Sequence, residues 1–453
     1  MRIKKIEVKK LFGIFNHAIQ LKMDDRITIM HGPNGIGKTV LLTMLSSIFR
    51  SEYGVFSRIP FVEFSVVFEN DDLIKIKKDI RLFDDLSTKQ KREDLVFELI
   101  EKGKKTKFHT IKMYENYKLD FPISIIEDII PEVRRIGAQS WQYLPTQELL
   151  NLPDILERFG DLLPEELRTR STIPPWIKEL SNRINVYFIE TQRLFSPIKL
   201  RRFNRLDKKT SMTPSVLSYS EELVSAIQEK LSEYGSLSQS LDRTFPTRLV
   251  KGGFSKPRDP EQLKNELKEL EDRRNQLVTA GLLDKDKEME FRDLTNIDET
   301  NKIVLSVYID DVKKKLGVLD DLTRRIDLLI NIVNSRFLYK KMSVSKKGGF
   351  TFLGRNEKQI SAANLSSGEQ HELVLFYELL FKVKPDSLIL VDEPELSLHV
   401  YWQQQFLSDM QEIIKLSKFD LLLATHSPSI IQDRWDLTVE LKGPEDVETS
   451  RAD

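Results

Sequence analysis

The chain contains no cysteine, which excludes disulfides, zinc fingers, zinc hooks, cysteine-ligated iron–sulfur clusters and a cysteine nucleophile. It has no excess of either charge, because 70 Lys and Arg residues balance 70 Asp and Glu residues, so that only a local basic patch would attract nucleic acid. No apolar run reaches the ~18 residues of a membrane span, and residues 1–15 alternate charged and aliphatic side chains, unlike a signal peptide. We therefore expect a cytoplasmic protein that is neither exported nor associated with a membrane.

The 453 residues, 40% of them hydrophobic, suit roughly three domain-equivalents of about 150 residues each. Strand and helix patterns alternate at both ends of the chain, which predicts an α/β fold with a mixed sheet, an antiparallel β subdomain and helices on their faces. An insertion of different composition separates the two ends. The expected domains are an N-terminal lobe with a helical insertion, a helical or coiled-coil arm with loops, and a C-terminal lobe, over residues 1–196, 197–340 and 341–453.

Within the N-terminal lobe, alternating apolar residues predict antiparallel hairpins over residues 61–76 and 95–111. Residues 121–182 have a mostly helical pattern interrupted by prolines, and residues 186–189 resemble a buried strand.

Two leucine-rich stripes mark the arm. One covers residues 263–277 with 4-3-7 spacing, and the other covers residues 305–337 with an approximate 4-3 rhythm. Two antiparallel helices packed along these stripes are one interpretation, and two helices facing an ordinary globular core are the other.

Residues 32–39, GPNGIGKT, match G-x-x-x-x-G-K-[ST] and lie between a predicted strand and a predicted helix, which is the context that the Walker A phosphate loop requires. The glycines allow successive backbone N–H groups and the positive end of a helix to surround phosphate oxygens. Lys38 is expected to neutralise phosphate charge and the Thr39 hydroxyl to bind Mg²⁺. The expected ATP contacts are Asn34, Gly35, Ile36, Gly37, Lys38, Thr39 and Val40.

Residues 387–394, SLILVDEP, form an apolar run that ends in two carboxylates, as a buried parallel strand delivering acids to its carboxyl end would do. Asp392 is then expected to hold Mg²⁺ through water, and Glu393 to act as the general base for the attacking water. The alternative is a strand that ends in an acidic surface turn.

Two further segments carry candidate phosphate contacts. Ser366, Ser367 and Gly368 lie where a polar turn leads into an apolar helix, so their hydroxyl and amide groups are placed to bind phosphate. His426 follows the buried strand-like run at residues 421–424. Taken alone, such a histidine is more often structural than catalytic.

The four segments in this order, phosphate loop, LSSGE, LILVDEPELSLH and ATHS, resemble the motif set of ABC-type ATPases. The resemblance implies ATP and Mg²⁺ as cofactors, catalytic roles for Lys38, Glu393 and His426, and a homodimer through the heads in which Ser366 and Gly368 complete the partner's ATP site. It makes Ser397 part of the D-loop. Gln192, after the strand VYFIE, resembles the Q-loop glutamine that senses Mg²⁺ and water, with an ordinary strand-end glutamine as the alternative.

The phosphate loop and LSSGE are far apart, since Gly32 and Gly368 are separated by 336 positions. This layout resembles the split heads of Rad50, SMC, RecF and the overcoming-lysogenization-defect ATPases, in which an arm separates the two lobes. The C-terminal block is most similar to the ATPase subunits of two-gene anti-phage systems such as PARIS and Septu. That resemblance implies a scaffold, often a higher homo-oligomer, that controls a separate Toprim- or HNH-type nuclease subunit after sensing a phage-encoded trigger.

We expect no nuclease site in the given sequence, because the 27 residues after His426 are too few for a Toprim domain and the six histidines lack metal-ligand spacing. A DNA repair or recombination ATPase of the RecF or Rad50 type remains the alternative. This alternative depends on a basic segment that consists of Lys199, Arg201, Arg202, Phe203, Arg205, Lys208 and Lys209. The segment would contact nucleic-acid phosphates or else form a solvated loop. A transporter motor is a third interpretation, which requires a membrane partner.

Overall fold

The computed structural model divides the chain into two compact units, residues 1–191 with 384–453, and residues 192–383. The expected three-part division stays a prediction; the second unit includes residues 341–383 together with the arm helices. The structure describes residues 1–50, 52–85, 88–101, 103–112, 125–137, 140–144, 147–151, 155, 159, 176–177, 179, 183–189, 215–251, 258–284, 298–396 and 400–443.

The first unit contains a six-stranded antiparallel sheet in the order β2-β1-β4-β5-β6-β7. Its strands form because apolar residues alternate along them, and Phe64, Val66 and Phe68 of β4 all point into the core. The predicted antiparallel subdomain is therefore confirmed. The bounds are β1 Ile3–Leu11, β2 Phe15–Gln20, β4 Glu63–Phe68, β5 Leu73–Asp85, β6 Thr88–Glu101 and β7 Lys104–Lys112.

A five-stranded parallel sheet in the order β11-β15-β16-β3-β17 forms the other part of this unit. Helix α1 packs on β11 and β15, and its buried residues share one core with the antiparallel sheet. Strand β11 was predicted to be buried but is half-buried, because it lies at the edge of the sheet. The bounds are β3 Ile27–His31, α1 Lys38–Arg50, α2 Gly54–Arg58, β11 Val186–Ile189, β15 Leu388–Asp392, α9 Val400–Ser417, β16 Asp420–Ala424, α10 Pro428–Ile431 and β17 Thr438–Glu440.

The mostly helical pattern predicted for residues 121–182 is wrong over residues 133–151. A short helix, α3 Ile125–Ile129, precedes a three-stranded sheet of β8 Val133–Arg135, β9 Ser140–Tyr143 and β10 Glu148–Asn151. A sheet forms here because buried and exposed side chains alternate around Trp141, and the buried ones form a separate small core with α3. Most of residues 152–182 lie outside the described part of the chain.

The second unit consists of long helices, a small three-stranded sheet and the LSSGE segment. The first leucine stripe is buried as predicted. The second stripe is divided between two helices at Val318–Leu319. The bounds are α4 Ser215–Lys251, α5 Pro260–Thr279, α6 Glu299–Gly317, α7 Asp320–Arg336, β12 Lys340–Ser345, β13 Gly349–Gly354, β14 Gln359–Ile360 and α8 Ser367–Tyr377, and α8 continues as one π-helical turn over Glu378–Lys382.

The antiparallel pairing of the two stripes is wrong, because α5 and α6 run parallel. Lys313 pairs with Glu266 at 2.7 Å, and further along both helices Arg273 Nε donates to Asp320 Oδ1, just past the end of α6, at 2.8 Å, so residue numbers rise together along α5 and α6. The antiparallel neighbour of α6 is α4, through the pairs Arg248–Asp311 and Lys315–Asp242. Within the part of the chain that the structure describes, no helix has the length and apolarity to cross a bilayer.

Candidate nucleotide site

The phosphate loop, the paired acids and His426 converge at one edge of the parallel sheet. Strands β15, β16 and β3 are parallel, so their carboxyl ends lie at the same edge. Backbone bonds join these ends, with Glu393 N donating to Ala424 O at 2.8 Å and Thr425 N to Met30 O at 3.2 Å. Residues almost 400 positions apart are thereby brought together in the first unit.

The loop at residues 32–37 depends on glycine at defined positions. Gly35 and Gly37 adopt φ values of +82° and +99°, which side-chain-bearing residues rarely adopt. A Cβ on Gly37 would lie 2.5 Å from Leu11 Cδ2, so the hairpin of β1 and β2 packs directly against the loop and leaves no room for a side chain at this position. Helix α1 begins at Lys38, and the loop amides therefore lie at a helix N-terminus, as the motif predicts.

Lys38 is buried, and its ammonium group points back across the loop. Its Nζ donates to Gly32 O at 2.9 Å and to Pro33 O at 3.0 Å, and it also contacts His426 Nε2. Burial lowers the pKa of Lys38, although nearby carboxylates, Glu393 first among them, act in the opposite direction. The ammonium is thus a desolvated positive charge at the mouth of the phosphate loop.

Asp392 and Thr39 form the acidic side of the site. The Thr39 hydroxyl lies beside the Asp392 carboxylate, and burial raises the pKa of Asp392, while Thr39 and the nearby Lys38 act in the opposite direction. Among the described residues, Asp392 Oδ1 is buried without a hydrogen-bond partner. A hydroxyl beside a carboxylate with an unused buried oxygen is a donor set that fits Mg²⁺, which prefers oxygen ligands and retains water.

Glu393 follows directly and has a strained backbone. Its φ of +43° lies in the left-handed region, which is uncommon for residues other than glycine and is often found at functional sites. The side chain is about one-third exposed, and its Oε1 lies 4.0 Å from His426 Nε2. Asp392 and Glu393, although adjacent, therefore have different environments, one carboxylate beside the Thr39 hydroxyl and the other beside His426.

Sequence reasoning missed three residues that touch this site. Glu395 accepts hydrogen bonds from the segment that carries His426. His17 Nε2 lies 3.0 Å from Ile36 O, and since a carbonyl can only accept, the ring carries its proton on Nε2; burial lowers the pKa of His17. The partly exposed Phe12 ring lies 3.4 Å from where a Gly37 Cβ would be. Of these three residues, only Glu395 could have been found from the sequence, because it lies two residues after the paired acids.

The LSSGE segment belongs to the second unit. Ser366 caps α8 in a reciprocal capping box, in which Ser366 N donates to Glu369 Oε2 at 2.8 Å and Glu369 N donates to Ser366 Oγ at 3.3 Å. Lys340 pairs with Glu369 at 2.6 Å. Burial raises the pKa of Glu369, but Lys340 and Ser366 outweigh it, so the pKa is below its ordinary value. Ser366 and Ser367 are exposed, and Gly368 is half-buried.

Several predicted residues lie outside the described part of the chain. They are the Q-loop candidate Gln192, the D-loop candidate Ser397 and the basic segment at residues 199–209.

A phosphate loop between a parallel strand and a helix, with paired acids at the end of the next strand but one, defines an ATPase of the AAA/ABC type. The chain belongs to the family described as "AAA domain, putative AbiEii toxin, Type IV TA system", whose sequence model matches residues 27–432.

Similar solved structures include the Smc head domain with an extended coiled coil bound to the C-terminal domain of ScpA from Pyrococcus furiosus, with 12% identity, 98% of this chain and 94% of that chain covered, and a TM-score of 0.35. The SMC head domain from Thermotoga maritima has 10% identity, 95% and 91% covered, and a TM-score of 0.31. No curated protein matches the chain.

Proposed function

We propose that the chain is a Mg²⁺-dependent ATPase whose nucleotide state controls a separate effector chain. The observation that supports hydrolysis most directly is the convergence of Lys38, Asp392, Glu393 and His426 at one sheet edge. A purely structural phosphate site would need the loop and Lys38, but it would not need a second acid held in a strained backbone conformation beside a histidine.

Each residue of the site has a role that follows from its position. The loop amides and Lys38 hold the β- and γ-phosphates. Thr39 and Asp392 would hold Mg²⁺, which supplies charge neutralisation on the phosphate oxygens when bound. Glu393 accepts a proton from the attacking water, and His426, adjacent to both Lys38 and Glu393, hydrogen-bonds the γ-phosphoryl group.

Substitution of Glu393 by Gln tests this assignment. Removing a positioned general base costs about 10²–10⁴-fold in rate, whereas Gln keeps nearly the same shape, so we expect ATP binding to persist while steady-state phosphate release falls by that factor. Glu412→Ala is the matched control, since Glu412 is an exposed carboxylate on α9 in the same unit. Wild-type protein without ATPase activity, or Glu393→Gln protein with unchanged activity, would overturn the assignment.

We further propose that two copies dimerise head to head, with Ser366 of each copy contacting the ATP on the partner's Lys38. Support comes from the exposure of Ser366 and Ser367 at the N-terminus of α8, where phosphate binds favourably. Mass photometry of the Glu393→Gln variant should show ATP-dependent dimers or larger assemblies.

A mixing experiment tests the shared site directly. Lys38→Ala and Ser366→Arg should each be inactive alone. In a mixed dimer, however, one site combines an intact loop from one copy with an intact LSSGE segment from the other, so an equimolar mixture should recover about a quarter of wild-type activity if two-fold dimers form randomly. No recovery in a mixture that still forms dimers contradicts a shared site.

We propose that the chain acts in anti-phage defence, as the ATPase subunit of a two-gene system with a separate nuclease effector and a phage-encoded trigger. The sequences of the C-terminal motifs support the role in defence, as does the family's description, which includes a putative toxin of a toxin–antitoxin system. Co-expression with the neighbouring genes and affinity purification in the ATP-bound Glu393→Gln state should recover a nuclease-like or toxic chain. Recovery of the ATPase alone, with no effector gene beside it, argues against the proposal.

A further inference from the structure

We propose that Glu395 is a positioning residue that sets the place of His426 against the ATP site. The inference rests on the proposed function, because it assigns how one of that site's residues is held. Glu395 lies in the turn of 3₁₀-helix that follows the paired acids, at residues 394–396. His426 lies at the end of the neighbouring strand, β16.

The Glu395 carboxylate bonds two consecutive residues. Its Oε2 accepts from Thr425 Oγ1 at 2.8 Å, and its Oε1 accepts from His426 N at 2.8 Å. Both are bonds to an ionised acceptor and so belong to the stronger class of hydrogen bond. Thr425 is fully buried, which limits the access of water that would otherwise replace either bond.

A second set of bonds fixes the residue on the other side of His426. Ser427 N donates to Thr425 Oγ1 at 3.0 Å, and Ser427 Oγ donates to Gln403 Oε1 at 3.0 Å. The amide Nε2 of Gln403 donates to Glu395 O at 3.2 Å. Glu395 therefore holds the His426 backbone through its side chain and, through its main chain and Gln403, also the next residue.

This bracing matters because the His426 ring is placed by its backbone. Its Nε2 contacts Lys38 Nζ and lies 4.0 Å from Glu393 Oε1, so a small displacement of the His426 N–Cα bond moves the ring away from both. Loss of ~1 Å of positional precision at a reacting centre costs about 10²-fold in rate. A carboxylate suits the role because each oxygen satisfies one donor.

The test is a double-mutant cycle on kcat. In the wild-type background, Glu395→Ala should lower kcat by about 10–100-fold with a much smaller change in ATP affinity. In a His426→Ala background, the same substitution should lower kcat less than about twofold, because the imidazole that Glu395 positions is already absent. Glu395→Gln, which keeps an acceptor for His426 N, should restore most of the activity. Equal losses in both backgrounds would overturn the proposal, since they would indicate a role independent of His426.

Two further measurements keep the inference decidable. If circular dichroism shows that Glu395→Ala does not fold, Thr425→Val is used in its place. This substitution keeps nearly the same side-chain volume and removes one of the two hydrogen bonds to the Glu395 carboxylate. The decrease in kcat that it causes must also be smaller in the His426→Ala background. If wild-type protein hydrolyses no ATP, the proposed function fails by itself. The ¹⁵N resonances of the His426 imidazole then decide the inference: we expect them to shift in Glu395→Ala but not in Glu412→Ala, and an unchanged spectrum refutes the positioning role.

Discussion

Among the described residues of the second unit, the buried ion pair between Arg336 and Glu372 should be the one whose disruption costs the most stability. Both side chains are almost fully buried, at 0% and 1% exposure, and the Arg336 guanidinium carbon lies 4.7 Å above the Phe376 ring. Glu372 belongs to α8, six residues after Ser366. Arg336→Met keeps most of the buried volume but removes the cation that pairs with Glu372.

Removing one partner of a buried pair costs about 3–5 kcal/mol, mainly because a desolvated charge loses its counterion. Replacing both, as in Arg336→Met with Glu372→Leu, removes the charge as well and should bring stability back to within about 1 kcal/mol of wild type or above it. The control is Lys230→Met. Its pair with Glu233 has 43% and 55% exposed side chains, and the loss should be about 0.5 kcal/mol or less.

Urea unfolding followed by two probes measures these differences. The four tryptophans, Trp141, Trp176, Trp402 and Trp435, all lie in the first unit, so fluorescence follows that unit. Far-UV circular dichroism follows mainly the long helices of the second unit. Arg336→Met should lower the midpoint of the dichroism transition most. A loss no larger than that of Lys230→Met, or a double variant as unstable as Arg336→Met alone, would contradict this prediction.

Three further outcomes are expected. Asp392→Asn should raise the melting temperature measured without nucleotide and Mg²⁺, because burial already disfavours the charged carboxylate; a lower melting temperature contradicts this. The lowered pKa of His17 means that below pH ~6.5 the unfolded chain binds a proton that the folded protein does not. Stability should therefore fall as pH decreases from 7 to 5.5, and the fall should be smaller in His17→Gln when urea unfolding is compared at the two pH values; equal falls argue against His17. We expect the exposed Phe12 ring beside Gly37 to stack on the base of ATP. Phe12→Ala should then weaken ATP binding by about 1–3 kcal/mol but leave inorganic triphosphate binding unchanged; equal weakening of both ligands in calorimetry excludes stacking.

Much of the site could be predicted because its information is local. The glycine spacing of residues 32–39 determines both the left-handed turns at Gly35 and Gly37 and the start of helix α1 at Lys38. The Ser366 cap likewise depends only on Glu369, three residues later. The α/β class and the antiparallel hairpins followed from alternation, which neighbouring residues carry.

The remaining features depend on contacts between distant residues. The α5 stripe is buried as its periodicity indicated, and so is the second stripe from Leu319 onward. On α6 only Leu316 of the stripe is buried, and Val307 and Ile309, which lie off it, are buried instead. The direction of packing depends on which helices pair, and periodicity alone does not specify that. Trp141 and its neighbours formed a sheet with a small core of their own where a short-range pattern suggested helix.

A phosphate loop, a pair of acids after an apolar strand and a capped serine turn could each be predicted, because each lies within eight consecutive residues. Which other side chains contact these segments depends on the fold. Glu395 reaches the His426 backbone, and His17 reaches the loop carbonyl of Ile36, through strand order and sheet register. The Glu395 contact exists because parallel strands far apart in the chain end at the same edge of one sheet, and the His17 contact exists because the β1–β2 hairpin of the antiparallel sheet packs against the phosphate loop.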